Sequence, residues 1–291
     1  MLTLRHIIGV LLLTLMALCL VGCSAVQFGY QQAPELAYWW LDSYLDFNES
    51  QSLKLRADLT PLQAWHRQTE LPIYIKTLDK LRKMAPLDAT PEQVCGLYTE
   101  FKTRLQVTLD QFEPTVSAIA PALTPGQIDH LTRQFEKRNQ KWHDEWTDLT
   151  QAQRHARRFK QMKERSEGFY GRLEEQQLGV LRNGLLATPL DMSLSYQESQ
   201  RRQQDILQTL RQLQGAKPGA PSVQVAMRGV LERSIDSPDP AYRAYMEKVT
   251  QAQCRTFAAL HNSSTPAQRL HLFETLKDYQ TDARDLLGAK Q

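Results

Sequence analysis

The longest apolar stretch of the chain lies at its N-terminus, from Ile7 to Leu20, and follows the short basic segment Arg5-His6. This length is typical of the core of a signal peptide and is short for a helix that crosses a membrane. Downstream, apolar residues recur at spacings of three, four and seven, and the strict alternation of a β-strand is nowhere sustained. The pattern predicts an all-α domain, an elongated multi-helix bundle with no sheet, behind a targeting segment.

A recurring helix-start pattern subdivides this domain. In a capping box, the Thr hydroxyl accepts a hydrogen bond from a backbone N–H of the first turn, and the Gln three residues later accepts one from the Thr N–H. Pro at the first helical position strengthens the pattern, because its missing donor costs nothing there. Five segments have this form, namely Thr60-Pro61-Leu62-Gln63, Thr90-Pro91-Glu92-Gln93, Thr124-Pro125-Gly126-Gln127, Thr150-Gln151-Ala152-Gln153 and Thr265-Pro266-Ala267-Gln268. We therefore predict helices that begin near Pro61, Pro91, Pro125, Gln151 and Pro266.

Apolar stripes extend these helix starts. The stripe after Thr124 predicts one long core-facing helix and consists of Ile128, Leu131, Phe135, Trp142, Trp146 and Leu149. A looser stripe after Thr150 continues to Val180 and ends near Asn183-Gly184. Further helices are predicted over 35–47, 196–213, 223–235 and 240–260. Pro72 should kink or split the helix after Thr60, and Pro114 should end or break the helix after Thr90.

The composition agrees with a helical domain, since Gly and Pro number only 13 and 14 among 291 residues. The formal net charge of +3 is close to balanced and gives no whole-chain argument for a nucleic-acid partner. We predict that residues 34–291 form one helical domain. The segment 215–221 contains two Gly and two Pro residues and is the best candidate for a subdomain break.

Residues 20–23, Leu-Val-Gly-Cys, close the apolar run and resemble the lipobox of bacterial lipoproteins. The resemblance implies a cleaved signal peptide over 1–22, diacylglycerol on Cys23, and a lipidated N-terminus with a short tether over 23–33. Two or three acyl chains hold a protein firmly to a bilayer, because each buried methylene contributes about 0.8 kcal/mol. Ser24, where Asp would retain the protein in the inner membrane, implies the outer membrane and its periplasmic face. The alternative is an uncleaved membrane helix with a buried Cys23.

Cysteine usage follows from this compartment. Cys19 leaves with the signal peptide and Cys23 carries lipid, so Cys95 and Cys254 remain as thiols. An oxidising periplasm favours a disulfide between them. The alternative is two separate buried thiols, because free Cys is among the most buried residue types.

Two resemblances bear on function. The segments Leu59-Thr60-x-x-Gln63, Leu123-Thr124-x-x-Gln127 and Leu149-Thr150-x-x-Gln153 resemble the LTxxQ motif of the Spy/CpxP-type periplasmic proteins. Those proteins are all-α, form curved dimers, and act as ATP-independent chaperones or envelope-stress adaptors. The mature N-terminus is similar to a family of proteobacterial lipoproteins of unknown function, through Cys23-Ser-Ala-Val, Tyr30, residues 34–47, Trp65-His66-Arg67 and Glu70-Leu-Pro-x-Tyr74. This second likeness implies a helical lipoprotein and supplies no catalytic residue.

Motifs of enzymes are largely missing from the sequence, which contains no H-E-x-x-H, C-x-x-C, G-x-S-x-G, P-loop or Rossmann fingerprint. Asp42 and Asp46 share a helix face and could do acid–base work if they were buried together; such pairs more often face solvent or an Arg. The run His143-Asp144-Glu145 reads as a solvated helix face, because neighbours in sequence point to different faces. We predict no catalytic residue, no metal site and no cofactor.

Two features are candidates for partner binding. The first is an aromatic cluster around Trp39 and Trp40, which either contacts the membrane interface or a partner, or fills the core on one helix face. The second is a basic run that includes Arg154, Arg157 and Arg158. It either binds anionic head groups, acidic envelope polymers or anionic clients, or forms a solvated face paired with carboxylates on neighbouring helices.

The sequence thus leads us to expect a lipid-anchored protein on the periplasmic face of the outer membrane, with a non-enzymatic binding role. A chaperone-like or adaptor role in envelope maintenance is the leading hypothesis, with protein clients or an envelope component as the partner. The alternative is a structural or assembly subunit of an outer-membrane complex. Nucleic acid is not expected as a partner in this compartment.

Overall fold

A computed structural model describes residues 25–216 and 219–288 of the chain. Within these ranges there are twelve α-helices and no strand, which confirms the all-α multi-helix bundle. No helix of the described ranges is long and apolar enough to cross a bilayer, and Cys23 with its predicted lipid lies outside them. The helices are α1 Ala25–Gln31, α2 Ala33–Leu45, α3 Glu49–Thr69, α4 Leu71–Met84, α5 Pro91–Ile119, α6 Pro125–Trp142, α7 Gln151–Tyr170, α8 Glu175–Ala187, α9 Met192–Ala216, α10 Ala220–Ile235, α11 Pro240–Asn262 and α12 Pro266–Gly288.

Four of the five predicted capping boxes begin a helix. Thr90, Thr124 and Thr150 each accept a hydrogen bond from the N–H of the Gln three residues later, and that Gln accepts one from the Thr N–H. The same pair of bonds joins Thr265 and Gln268 at the start of α12. Helices α2, α9, α10 and α11 cover the other four predicted segments to within a few residues. Pro72 splits α3 from α4, as predicted.

The predicted helix start at Pro61 is wrong, because Pro61 lies inside α3. Asn48 caps this helix and forms the capping box with Gln51. The Thr60 hydroxyl donates back to the Arg56 carbonyl instead of capping a new helix. An internal Pro costs about 3 kcal/mol in a helix. Leu59 just before this position is buried, and Leu62 just after it packs against the same core, which favours the continuous helix.

Two further helix predictions are also wrong, the break at Pro114 and the single long helix after Thr150. Pro114 lies inside α5, which runs uninterrupted from Pro91 to Ile119. The stripe after Thr150 does not form one helix, because Gly171 adopts a positive φ of 70° and separates α7 from α8. Helix α8 ends at Ala187, three residues after Gly184 and so near the predicted stop. A Cβ at Gly184 would clash with the Thr256 side chain, so this glycine permits close packing of α8 on α11.

The stripe after Thr124 reaches the core only in its first half. Ile128 and Leu131 are buried and Phe135 packs against them. After Trp142 the helix widens into the π-helical turn His143–Thr147, and such a turn rotates the residues that follow it. Trp142 and Trp146 are therefore only half-buried, with ring centroids 6.0 Å apart, and their predicted core position is wrong.

Helix α5 lies between several other helices, and α3, α10 and α11 all pack against it. A large core lies on one side and contains Leu55, Ile128, Leu213 and Met227 among its buried residues. A smaller core consists of Leu173, Leu181 and Leu260, with partly buried residues around them. Leu213 and Val223 flank segment 215–221 and both belong to the large core, so α9 and α10 pack together across it.

The N-terminal helix α1 is attached to the C-terminal helix. The Gln27 amide donates to Asp282 at 3.0 Å and to Asp285 at 3.2 Å on α12. Residues 25–31 are thus a packed helix, which differs from the short tether predicted for 23–33.

Two pairs of helix starts are joined by buried glutamines, each the third residue of its helix. In the α3–α6 clasp, the side-chain amides of Gln51 and Gln127 donate to each other at 3.3 and 2.7 Å. Gln51 also donates to Ala122 O, and Gln127 donates to Asp46 O, both at 2.8 Å. Each acceptor carbonyl lies two residues before the N-cap of the partner helix. Each Gln oxygen also accepts the N–H of its own N-cap.

The α8–α12 clasp repeats this pattern with Gln177 and Gln268, whose amides donate to each other at 2.6 and 2.9 Å. Gln177 donates to Ser263 O and Gln268 donates to Arg172 O, again two residues before the partner's N-cap. The four clasp glutamines are buried, with exposed fractions of 1 to 7 %. All the polar atoms of these side chains are hydrogen-bonded. Their burial therefore avoids the loss of stability that an unpaired buried amide would cause.

Candidate functional site

Five helices, α2, α5, α6, α9 and α10, supply most of the lining of an apolar cavity of about 560 Å³, which lies beside the large core and is partly open to solvent. Its walls are mostly aliphatic and aromatic and include Tyr44, Phe112, Val116, Phe135, Ile206 and Met227. Pockets of about 300–1,000 Å³ with an apolar lining and a few placed polar groups are typical of small-molecule sites. This cavity is therefore the candidate functional site.

Helix α9 gives the cavity two unlike ends. Its N-terminal half contributes Ser195, Glu198 and Gln203, whereas Ile206 and Leu210 follow further along the same face. Helix α6 runs antiparallel to α9, because Asn139 and Gln203 exchange hydrogen bonds at 2.9 Å while Arg211 contacts Thr132 at 3.5 Å. The C-terminal end of α6 therefore lies beside the polar half of α9.

A charged cluster lines the polar end. Glu198 is 4 % exposed and accepts hydrogen bonds from Arg201, Arg202 and Ser237 at 2.7 to 3.0 Å. Burial alone would raise the pKa of Glu198, but these donors outweigh it and hold the pKa below its usual value. The carboxylate is thus ionised and fully paired, which suits a structural anchor for the two arginines better than a general acid.

Arg138 is the second basic residue of the cavity lining and lies on α6. It is exposed, and among the described residues it has no hydrogen-bond or ion-pair partner. Arg202, in contrast, is held by Glu198 and lies over the Tyr242 ring at 5.7 Å. The polar end therefore offers one engaged and one free guanidinium to whatever occupies the cavity.

The tryptophans predicted for partner binding lie on α2 at the rim of the cavity. Trp39 is 61 % exposed and Trp40 is 59 % exposed, so the alternative in which this pair fills the core is wrong. Trp40 lines the cavity and its ring lies 5.1 Å from that of Tyr44. Trp39 does not line the cavity; it lies edge-on to Tyr38, where Arg56 also stacks.

The predicted basic run on α7 is used largely within the chain. Arg154 donates to the carbonyls of Trp146 and Leu149, and Arg157 donates to the Glu145 carbonyl at 3.0 Å. These bonds satisfy the end of the π-helical turn. Burial lowers the pKa of Arg158, and one of its terminal nitrogens is buried without a partner in the described structure. The cavity is not lined by this run.

Other candidate residues have structural positions. Asp42 accepts a hydrogen bond from the Phe47 N–H, and Asp46 ends α2 with a positive φ of 47°, so this pair closes a helix. Cys95 on α5 and Cys254 on α11 form a disulfide in the structure. His143 lies edge-on to Tyr196 with ring centroids 4.8 Å apart. The described residues contain no group of three side chains placed to bind a metal ion.

Two Tyr–His pairs, in which His261 is buried and the other three rings are half-buried, were not predicted from the sequence. The hydroxyl of Tyr30 lies 3.0 Å from His66 Nδ1, and that of Tyr170 lies 3.0 Å from His261 Nδ1. His261 Nε2 donates to the Leu87 carbonyl, so its Nδ1 accepts from Tyr170. Burial lowers the pKa of both histidines and raises the pKa of Tyr170 to about 12. The sequence signal for the first pair was the segment Trp65-His66-Arg67, but its partner lies 36 residues away.

This chain belongs to DUF6279, a family of unknown function, whose sequence profile matches residues 43–220. The matched segment contains the α3–α6 clasp and the α5, α6 and α9 walls of the cavity, and α10 to α12 lie outside it. No curated protein and no solved structure matches the chain. The family has no assigned activity, so a function for this chain has to be inferred from the geometry of the cavity.

Proposed function

We propose that this member of the DUF6279 family is a lipid-anchored protein of the periplasmic face of the outer membrane that binds apolar partners and catalyses no reaction. The cavity between α2, α5, α6, α9 and α10 is the observation that carries the proposal. Its lining is dominated by aliphatic and aromatic side chains, and Glu198, the one acidic residue among the described lining residues, is already fully paired. Such a lining supports binding of an apolar segment, in a chaperone-like or adaptor role, better than acid–base chemistry.

The rim of the cavity supports the same proposal. Trp40 is exposed at its edge, and exposed tryptophans are enriched at the energetic centres of binding surfaces. A bound apolar group would cover the Trp40 ring and bury it against Tyr44. The gain in free energy is about 25 cal/mol for each Å² of apolar surface removed from water.

An aggregation assay with the full chain in bilayer nanodiscs tests this role. A chemically denatured client enzyme is diluted into buffer, and its light scattering is followed with and without the protein. We expect Trp40→Ala to raise the protein concentration needed for half protection about fivefold, because a hot-spot Trp contributes at least about 1 kcal/mol. Trp39→Ala is the matched control, being equally exposed but outside the cavity. Equal loss in both variants would exclude the cavity, and no protection by the parent would exclude the chaperone-like role.

The anchor has a separate test. Cys23→Ala removes the only sulfur to which the lipobox reading assigns lipid, so the variant should accumulate as an uncleaved precursor and take up no fatty-acid label. Metabolic labelling with an alkyne palmitate, followed by gel mobility, measures both effects. Equal label in variant and parent would show that the N-terminus is not a lipobox.

A structural or assembly subunit is the second candidate, and one surface favours it. Tyr98, Phe101 and Leu105 form an exposed apolar stripe along α5, at spacings of three and four residues. Crosslinking in the native envelope followed by mass spectrometry separates the two candidates. One stoichiometric partner crosslinked to this stripe favours the subunit, whereas many partners crosslinked near Trp40 favour the binding protein.

A further inference from the structure

The cavity is a long slot that is polar at one end and apolar at the other. From Ser195 to Leu210 helix α9 rises about 22 Å, at about 1.5 Å per residue, and its lining residues change from polar to apolar along this length. The apolar end is lined by Ala120 of the 3₁₀ turn Ala120–Ala122 and by buried Leu123 and Met227. A ligand that fills such a slot is itself linear and amphiphilic.

The antiparallel packing of α6 on α9 brings the basic groups to the same end of the slot. Asn139 pairs with Gln203, so the neighbouring Arg138 lies at the level of the polar residues of α9. Arg202 lies one residue before Gln203 and lines both this cavity and the adjoining groove between α5 and α11. Two arginines from two helices therefore line the polar half of the slot.

The charges at this end leave one positive charge in excess. Arg138 and Arg202 are basic, and Glu198 is the one acidic residue among the cavity-lining residues of the described structure. Glu198 pairs with Arg202 at 2.7 Å, and Arg201, which also contacts Glu198, pairs with Asp205 at 3.5 Å. Arg138, in contrast, has no ion-pair partner among the described residues. A singly charged carboxylate fits this surplus, and a planar guanidinium binds a carboxylate through two parallel hydrogen bonds.

We propose that the cavity binds one long-chain fatty acid, with its acyl chain between α2, α5 and α10 and its carboxylate at Arg138 and Arg202. This inference rests on the proposed function, since it names the ligand class of the same site. The volume of about 560 Å³ suits a single chain, and the apolar lining at the far end suits its terminal methyl group. Burial of the chain supplies the affinity, at about 0.8 kcal/mol per methylene, and the arginines fix its direction.

Photocrosslinking tests this assignment on the full chain in bilayer nanodiscs. The probe is a palmitic acid with a diazirine near the middle of its chain, and the crosslinked peptides are mapped by mass spectrometry. We expect labels on Phe112, Val116 or Met227, which line the middle and the apolar end, and competition by unlabelled oleate. Ile206→Trp fills the slot between its two ends and should lower the labelling at least tenfold, and a thermal melt verifies that this variant is folded.

Substitution of the free arginine isolates the head-group contact. Arg138→Gln should weaken labelling about fivefold, as expected for one charge-assisted contact at a partly exposed site. Arg133→Gln is the matched control, because Arg133 is exposed on the same helix and does not line the cavity. The methyl ester of the probe should label the parent about as weakly as the acid labels Arg138→Gln.

The outcomes separate this inference from the proposed function. Equal labelling of the cavity by the acid and its methyl ester would overturn the fatty acid and leave an apolar binding site. A two-chain phospholipid or a denatured client that competes better than oleate would do the same. Labels confined to the protein surface would overturn the fatty acid, and the Trp40→Ala aggregation assay would then decide the proposed function independently.

Discussion

The α3–α6 clasp and the α8–α12 clasp have the same bonding pattern but lie against different cores. In both, two third-residue glutamines donate to each other and to a carbonyl before the partner's N-cap. The first clasp lies beside the large core and its 560 Å³ cavity. The second lies beside the small core of Leu173, Leu181 and Leu260.

The two clasps differ in the further contacts that hold the neighbouring helices together. Helix α8 approaches α11 so closely that Gly184 admits no Cβ, and α11 is bonded to α5 through Cys254. The walls of the cavity at the first clasp are joined by side-chain packing, by exchanged amide bonds such as Asn139–Gln203, and by ion pairs such as Arg233–Asp205 between α9 and α10. The comparison teaches that a clasp fixes two helix ends, whereas the remaining packing decides whether the adjacent core retains a cavity.

Loss of the disulfide should have the largest effect on this comparison. Cys95→Ala with Cys254→Ala opens a loop of 159 residues, and the chain-entropy model gives a loss of up to about 5 kcal/mol in the free energy of unfolding. Urea titration of the double variant measures the loss. Hydrogen exchange should show α11 opening before α6, and equal opening of both would remove the distinction between the two regions.

Breaking a clasp should have the next largest effect. Gln177→Leu leaves the Gln268 amide, the Ser263 carbonyl and the Glu174 N–H without their partner, and we expect a loss of about 3 kcal/mol. Gln93→Leu is the matched control, because Gln93 is in a capping box but is exposed; its loss should be about 0.5 kcal/mol.

The same change in the first clasp tests whether the two are equivalent. Gln127→Leu should cost about as much as Gln177→Leu, since the bonds lost are the same in kind. The double variant Gln51→Leu/Gln127→Leu should cost about 1 kcal/mol less than the sum of the single variants, because the partners share one network. Strict additivity in urea titrations would show that the amides do not act as a pair.

Close packing of α8 on α11 predicts a smaller loss. Gly184→Ala forces its Cβ into Thr256, and overpacking of this kind costs about 2 kcal/mol. Gly179→Ala on the same helix meets open space and should stabilise the protein by about 0.5–1 kcal/mol. Thermal melts of the two variants measure the difference, and equal melting temperatures would refute the close contact.

The Tyr–His pairs predict the smallest effect, a dependence of stability on pH. The folded-state pKa values of His66 and His261 lie below the usual 6.5, so the unfolded chain takes up protons that the folded chain refuses. Their stabilisation is therefore present above pH 6.5 and is lost as the pH falls through the lowered values. Melting temperatures between pH 8 and 5 should fall less steeply in His66→Gln and His261→Gln than in the control His155→Gln. Identical slopes would contradict the burial of these rings.

The sequence predicted most of the helices because their boundaries depend on local chemistry. Thr90, Thr124 and Thr265 begin helices because each is followed by a Gln that completes the box. Thr60-Pro61 has the same local pattern and fails, since Asn48 already begins the helix, and packing of Leu59 and Leu62 against the large core continues it past Pro61. A local pattern predicts that a helix start is chemically permitted, and packing decides whether it is used.

The candidate site was not predictable in the same way. Its lining comes from helices that are far apart in sequence, and neither Arg138 nor Ile206 has a local feature that marks it. The sequence does predict part of the rim, because the exposed Trp39-Trp40 pair is a recognisable candidate for binding. Two of the four clasp glutamines, Gln127 and Gln268, lie in capping boxes that the sequence predicts. The other two, Gln51 and Gln177, lie in boxes that begin with Asn48 and Glu174 instead of Thr.

The packing of α1 on α12 determines how much freedom the domain would have at a bilayer. Ala25 is already helical, and an extended chain covers at most about 7 Å between Cys23 and Ala25. Lipid on Cys23 would therefore hold α1 close to the membrane, and α12, which is hydrogen-bonded to α1, would lie close to it as well. If the proposed anchor is present, a domain tethered so closely would sample few orientations and would not reach across the periplasm. Its ligands would have to arrive along the membrane surface or come out of the membrane itself.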